Sequence, residues 1–126
     1  MITEFILVGA GGAAGSMARF ACSLVLPRWL GSDFPYATTT VNLLGSFIAL
    51  FFLYLLLEKG LFDPRMRLLV VTGFLGGFTT FSTFAVETLQ LVWEGEGAKA
   101  LFYWGLNTLG VLLAGVAGWR TAQWLS

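Results

Sequence analysis

The chain has 126 residues, of which 57% are hydrophobic and only 11% charged. A soluble domain of this size carries about 25% charged residues, so the deficit points to an all-α integral membrane protein with little mass outside the bilayer. Zero formal net charge and the absence of histidine exclude a basic nucleic-acid surface and histidine-based catalysis or metal binding. Cys22 has no partner within its own chain and is expected to pack as a small apolar residue.

Four apolar spans are expected in one domain, at about 4–26, 38–57, 67–92 and 98–124. The first lacks the basic leader of a signal peptide: Met1-Ile2-Thr3-Glu4-Phe5 has no Lys or Arg. Gly11 and Gly15 form a small-xxx-small pair that admits a neighbouring helix. Arg19 lies inside the apolar run, where lipid exposure is expensive, so it is expected to face protein or a watery cavity. Two roles stay open for it: bonding carbonyls at a neighbouring helix end, and attracting an anion. Residues 27–37 read as a loop, with Pro27, Gly31 and Pro35 as stop signals. Trp29 and Tyr36 suit the membrane interface.

The second span opens with Thr38, Asn42 and Ser46, whose four-residue spacing makes a polar stripe on one face. The Asn42 amide has two donors, as a desolvated anion requires; an ordinary inter-helix hydrogen bond is the alternative. Residues 47–57 face lipid or the core. Asp63-Pro64 reads as a helix start, with Asp63 as N-cap and proline first in the helix.

The third span contains the most unusual stretch, G-F-L-G-G-F-T-T-F-S-T-F from Gly73 to Phe84. Gly73, Gly76 and Gly77 weaken the helix by about 1 kcal/mol each relative to alanine. Thr79, Thr80, Ser82 and Thr83 follow, and Phe78, Phe81 and Phe84 recur every three residues. A helix broken here, near the middle of its span, is expected to face protein, water or an ion. A glycine packing seam with back-bonded hydroxyls is the plainer alternative. Glu87 is expected at the interface or in a vestibule. In the fourth span Tyr103 and Asn107 extend a polar track, Gly110, Gly115 and Gly118 allow tight packing, and Trp119 and Trp124 close an aromatic belt.

Four spans put both termini and the second loop on one side. Lys59, Arg65, Arg67 and Arg120 lie there, against Arg28 and Lys99, with Arg19 nearer the second group. So small a bias permits insertion both ways and hence an antiparallel dimer. A homodimer is expected because four short helices cannot enclose a water-lined path and also cover their glycine faces. A two-fold axis would bring identical breaks together as an oxygen cage for a hard cation.

The motifs G-G-x-x-G-x-x-x-R (Gly11 to Arg19), T-x-x-V-N (Thr38 to Asn42) and G-x-x-G-G-x-T-T-F-S-T-F (Gly73 to Phe84) resemble the small fluoride channels, the Fluc or CrcB family. The resemblance covers essentially the whole chain, and the third motif is highly specific. It implies an antiparallel, dual-topology homodimer in the cell membrane that exports fluoride passively through two pores. It implies one sodium ion on the dimer axis, held by the backbone carbonyls of Gly76 and Thr79. It also implies pore roles for Phe81, Phe84 and Asn42, a hydroxyl track of Thr38, Ser82 and Thr83, and a vestibule Arg19. Tyr103 and Asn107 are candidates on the fourth helix, where Val111 stands at a position some members fill with serine.

Physical chemistry agrees with this reading. Fluoride is small and strongly hydrated, so a selective path must replace its water with donors. Aromatic ring edges are positive, so Phe81 and Phe84 can meet the anion edge-on. The alternative is a small dual-topology multidrug transporter, which needs an embedded carboxylate; Glu4 and Glu87 both lie too near the span ends. A non-transporting assembly subunit predicts no flux. An enzyme is not supported, because no nucleophile–base or metal-ligand constellation is present.

Overall fold

Large apolar side chains cover the outside of this molecule. Phe5, Met17, Phe20, Leu101, Leu112 and Leu113 are each more than 60% exposed, which is the inverse of a water-soluble fold and the pattern expected beside lipid. The computed structural model describes residues 1–126 and is entirely helical. The helices are α1 (Ile2–Leu30), α2 (Tyr36–Leu57), α3 (residues 67–78), α4 (Ser82–Trp93) and α5 (Gly97–Leu125). Together α3 and α4 make the third span, bent where they meet, so the chain has four membrane-length helices.

The first helix outruns its expected end, because Pro27 lies inside its last turn and costs it only one amide donor there. The stop is Gly31, at φ 90°, whose N–H caps the carbonyl of Pro27 at 2.9 Å. The turn that leads into α3 follows the expectation: residues 65–66 are already helical, and Asp63 Oδ1 accepts the Arg65 N–H at 2.8 Å. Two segments are wound wider than an α-helix, Arg67–Leu75 within α3 and Leu106–Gly110 within α5.

Glycines set the helix spacing. A Cβ on Gly11 would lie 2.2 Å from the Leu69 carbonyl oxygen, and one on Gly15 would lie 1.9 Å from that of Phe74. On the other side of the bundle, a Cβ on Gly118 would lie 2.1 Å from the Phe47 carbonyl oxygen. Thus α1 is pressed against α3, and α5 against α2, backbone to backbone. Two small cores fill the remaining space. Val41, Leu75 and Phe78 form one, with Cys22 packed at its edge as expected. Phe84, Leu91, Ala100 and Tyr103 form the other, capped by Phe34. The polar residues lie between these two clusters.

Candidate functional site

Helix α3 ends at Phe78, and Thr79 turns extended (φ −80°, ψ 158°) before α4 begins at Ser82. The interruption therefore spans residues 79–81, and Gly76 still has helical angles. Because the helix does not continue, the three phenylalanines do not form a single stack. Phe78 pairs with Phe74 at 5.8 Å, while Phe81 and Phe84 form a separate pair at 5.6 Å. Phe84 is buried, whereas Phe81 is 78% exposed.

An extended segment inside a bundle needs partners for its peptide groups. Asn42 supplies them for Thr80. Its Oδ1 accepts the Thr80 N–H at 2.8 Å, and its Nδ2 donates to the Thr80 carbonyl at 3.0 Å. The same Nδ2 donates to Asn107 Oδ1 at 2.7 Å. Asn107 is anchored in turn, its Nδ2 donating to the Tyr103 carbonyl at 3.1 Å and to Thr39 Oγ1 at 3.3 Å. Both amide protons of Asn42 are thus engaged by the protein.

Thr80 also organises the start of α4. Its hydroxyl accepts the Thr83 N–H at 3.3 Å and donates to Thr83 Oγ1 at 3.1 Å. The sequence reading places Thr80 among four clustered hydroxyls without a role of its own, although its three-residue spacing to Thr83 suits a helix cap. Thr39 was missed as well; it belongs to a run of three threonines with no periodicity to separate them.

Arg19, Thr38, Thr80 and Thr83 line one cavity of about 240 Å³, together with Ser23 and Val41. Arg19 is half-buried there, and its Nε donates to the Gly77 carbonyl at 3.0 Å. It thereby caps the C-terminal end of α3 while leaving its charge at the cavity wall. On the far side of Thr38 a second cavity, of about 310 Å³, is lined by Asp33, Glu87, Glu94, Glu96 and Lys99. Glu87 connects the two: its Oε1 accepts the hydroxyls of both Thr38 and Tyr103. Glu87 lines that second cavity, and its two hydroxyl partners are an addition to what the sequence suggests.

Other expected residues stand apart. Ser82 is exposed. Gly76 and Thr79 lie across the bundle in a shallow concavity of about 180 Å³ shared with Gly45 and Ser46. The carbonyl oxygens of Gly76 and Thr79 accept no hydrogen bond within the chain, since the Thr80 N–H is taken by Asn42 and the Thr83 N–H by Thr80 Oγ1.

A bent third span, an amide clamp on an extended segment and hydroxyl-lined cavities define a multi-pass helical membrane protein with a polar interior and a basic residue at its wall. Residues 6–119 match the family described as CrcB-like protein, Camphor Resistance (CrcB). The chain belongs to that family. A relative from Chlorobaculum tepidum named fluoride-specific ion channel FluC is 50% identical over 103 residues, covering 82% of this chain and 81% of its own. Relatives of the same name from Chlorobium phaeobacteroides and Hydrogenovibrio crunogenus are 45% and 41% identical, covering 88% and 99% of this chain and 83% and 96% of theirs.

Proposed function

We propose that this chain is a fluoride channel, carrying the anion passively across the cell membrane and lowering cytoplasmic fluoride. The name its relatives carry supports the substrate. The observation that carries the reading is the interrupted third span, held open by Asn42 beside a cavity lined by Arg19, Thr38 and Thr83. The Arg19 guanidinium and the Thr83 hydroxyl supply a cationic group and an O–H donor at that cavity, and the Thr38 hydroxyl and Asn42 amide add donors when they release their partners in the chain, the set a dehydrating anion needs. In this reading Tyr103 and the ring edges of Phe81 and Phe84 extend the path, and Ser82, exposed on the single chain beside Phe81, joins it at the surface a second copy covers. The multidrug alternative is not favoured: Glu87, the carboxylate it would use, is bonded to two hydroxyls.

The working unit is an antiparallel homodimer with one pore per protomer. Phe81, an apolar ring left 78% exposed beside polar groups, suits a surface that a second copy covers. Two mainly apolar concavities adjoin a third that holds Gly76 and Thr79, sharing Leu75 and Ser46 with it, and this face suits a second copy. The free carbonyls of Gly76 and Thr79 fit a hard monovalent cation such as sodium on the two-fold axis. When bound, the ion would supply structural charge compensation between the two breaks.

Fluoride efflux from proteoliposomes, measured with a fluoride electrode and repeated with chloride, tests the function. Rapid fluoride release with little chloride release is expected. Equal release of both halides, or none of either, refutes it.

A further inference from the structure

The bond between Asn42 and Asn107 places an acceptor where the proposed function needs a donor. We infer that Asn107 is a resident competitor for fluoride, its side-chain oxygen occupying the Asn42 amide proton that the anion must take. This rests on the fluoride reading above. The geometry is specific. Asn107 Oδ1 lies 2.7 Å from Asn42 Nδ2, the separation of a strong amide bond. The Asn107 amide is not free to turn its nitrogen inward, because both of its N–H groups are spent, on the Tyr103 carbonyl and on Thr39 Oγ1. Thr39 is itself held by the Pro35 carbonyl at 3.1 Å. Asn107 lies within the widened turn at Leu106–Gly110.

The other Asn42 proton is committed to the Thr80 carbonyl and cannot be released without loosening the break. Fluoride therefore gains a donor from Asn42 only by displacing Asn107 Oδ1. A neutral oxygen with its own tether is a weak rival for that proton, which keeps the site satisfied when no anion is present and limits how tightly one is held. Asn107 acts through Asn42 and is a positioning residue that sets affinity.

The test is fluoride efflux from proteoliposomes as a function of fluoride concentration, separating half-saturation from maximal flux. Asn107→Leu keeps the bulk and removes the acceptor. The half-saturating fluoride concentration is expected to fall about tenfold, the effect of one hydrogen bond to a charged group. Asn107→Ala is expected to shift it in the same direction, and Asn107→Asp, a stronger fixed acceptor, in the opposite one. A purely structural role would lower maximal flux by reducing folded channel and would leave half-saturation in place. Half-saturation unchanged or raised in the folded Leu and Ala variants overturns the inference while leaving the channel function standing. A wild-type protein with no fluoride flux overturns both.

Discussion

Asn42 concentrates the chemistry of this chain in one side chain. Reading the sequence alone, its amide one turn inside the expected second span, which starts near residue 38, marks it as a donor. The structure adds that the same amide closes both peptide groups of Thr80. Asn42→Asp retains the acceptor for the Thr80 N–H but places carboxylate oxygen against the Thr80 carbonyl and Asn107 Oδ1. It also sets a negative charge on the proposed anion path. At an effective dielectric of 20, like charges about 4 Å apart repel by roughly 4 kcal/mol, close to a thousandfold in occupancy, so fluoride efflux should fail. Efflux at the wild-type rate from folded Asn42→Asp protein would remove Asn42 from the path. The two phenylalanines separate packing from ring electrostatics. Phe84 is buried and touches Tyr103 at 5.5 Å, so Phe84→Ile should cost about 1–3 kcal/mol of stability as well as flux. Phe81 is exposed in the single chain, so Phe81→Ile should leave the fold of each protomer within about 0.5 kcal/mol. Loss of flux in Phe81→Ile, with unchanged circular dichroism and a dimer that still assembles, is the expected result. Retained flux there would exclude the ring edge as an anion contact.

Helix positions were legible wherever a single principle governs them. Asp63 begins the helical turn that leads into α3 because proline follows and its carboxylate reaches the Arg65 N–H. Gly11 and Gly15 bring α1 onto α3 because a four-residue spacing stacks two bare positions on one face. Pro27 misled because a proline in a last turn interrupts little, and the stop passes to Gly31. The widened turns within α3 and α5 have no residue signature in the sequence that marks them out. The polar partners of Asn42 were hidden because residues 42, 80 and 107 meet only through the bundle. The glycine seam gives a direct prediction at this scale. Gly15→Ala drives a methyl into the Phe74 backbone, 1.9 Å from its oxygen, where no side chain can yield. It should destabilise the detergent-solubilised protein by about 1–3 kcal/mol or more. Gly9→Ala, with nothing within 4 Å of the added carbon, should be neutral or stabilising by up to about 1 kcal/mol. Melting followed by tryptophan fluorescence ranks the two, and equal effects would mean that α1 does not pack as described.

Charge acts on the molecule as a whole, because it sets how the four spans enter the membrane. The side with both termini carries Lys59, Arg65, Arg67 and Arg120, and the opposite side Arg28 and Lys99. Arg19 is drawn inward to the Gly77 carbonyl and adds little to the count at either surface. Four against two is a weak bias, and orientation responds mainly to Lys and Arg close to the span ends. An antiparallel pair requires that both orientations form in one membrane, in similar amounts. Leu61 offers a probe that leaves every charge in place: it is 61% exposed, in the loop between α2 and α3. With Cys22 replaced by Ala, Leu61→Cys should react with a membrane-impermeant maleimide in part from each side of the cell membrane. Replacing Arg28 and Lys99 with Gln then strengthens the bias and should drive the chain into one orientation. If the functional unit is antiparallel, that variant alone should carry little fluoride. Flux should return when it is co-expressed with a chain biased the other way, by Lys59→Gln and Arg65→Gln with lysines added near Arg28. Labelling of Leu61→Cys from one side only, in cells with full fluoride efflux, would show that a single orientation suffices and that the dimer is not antiparallel.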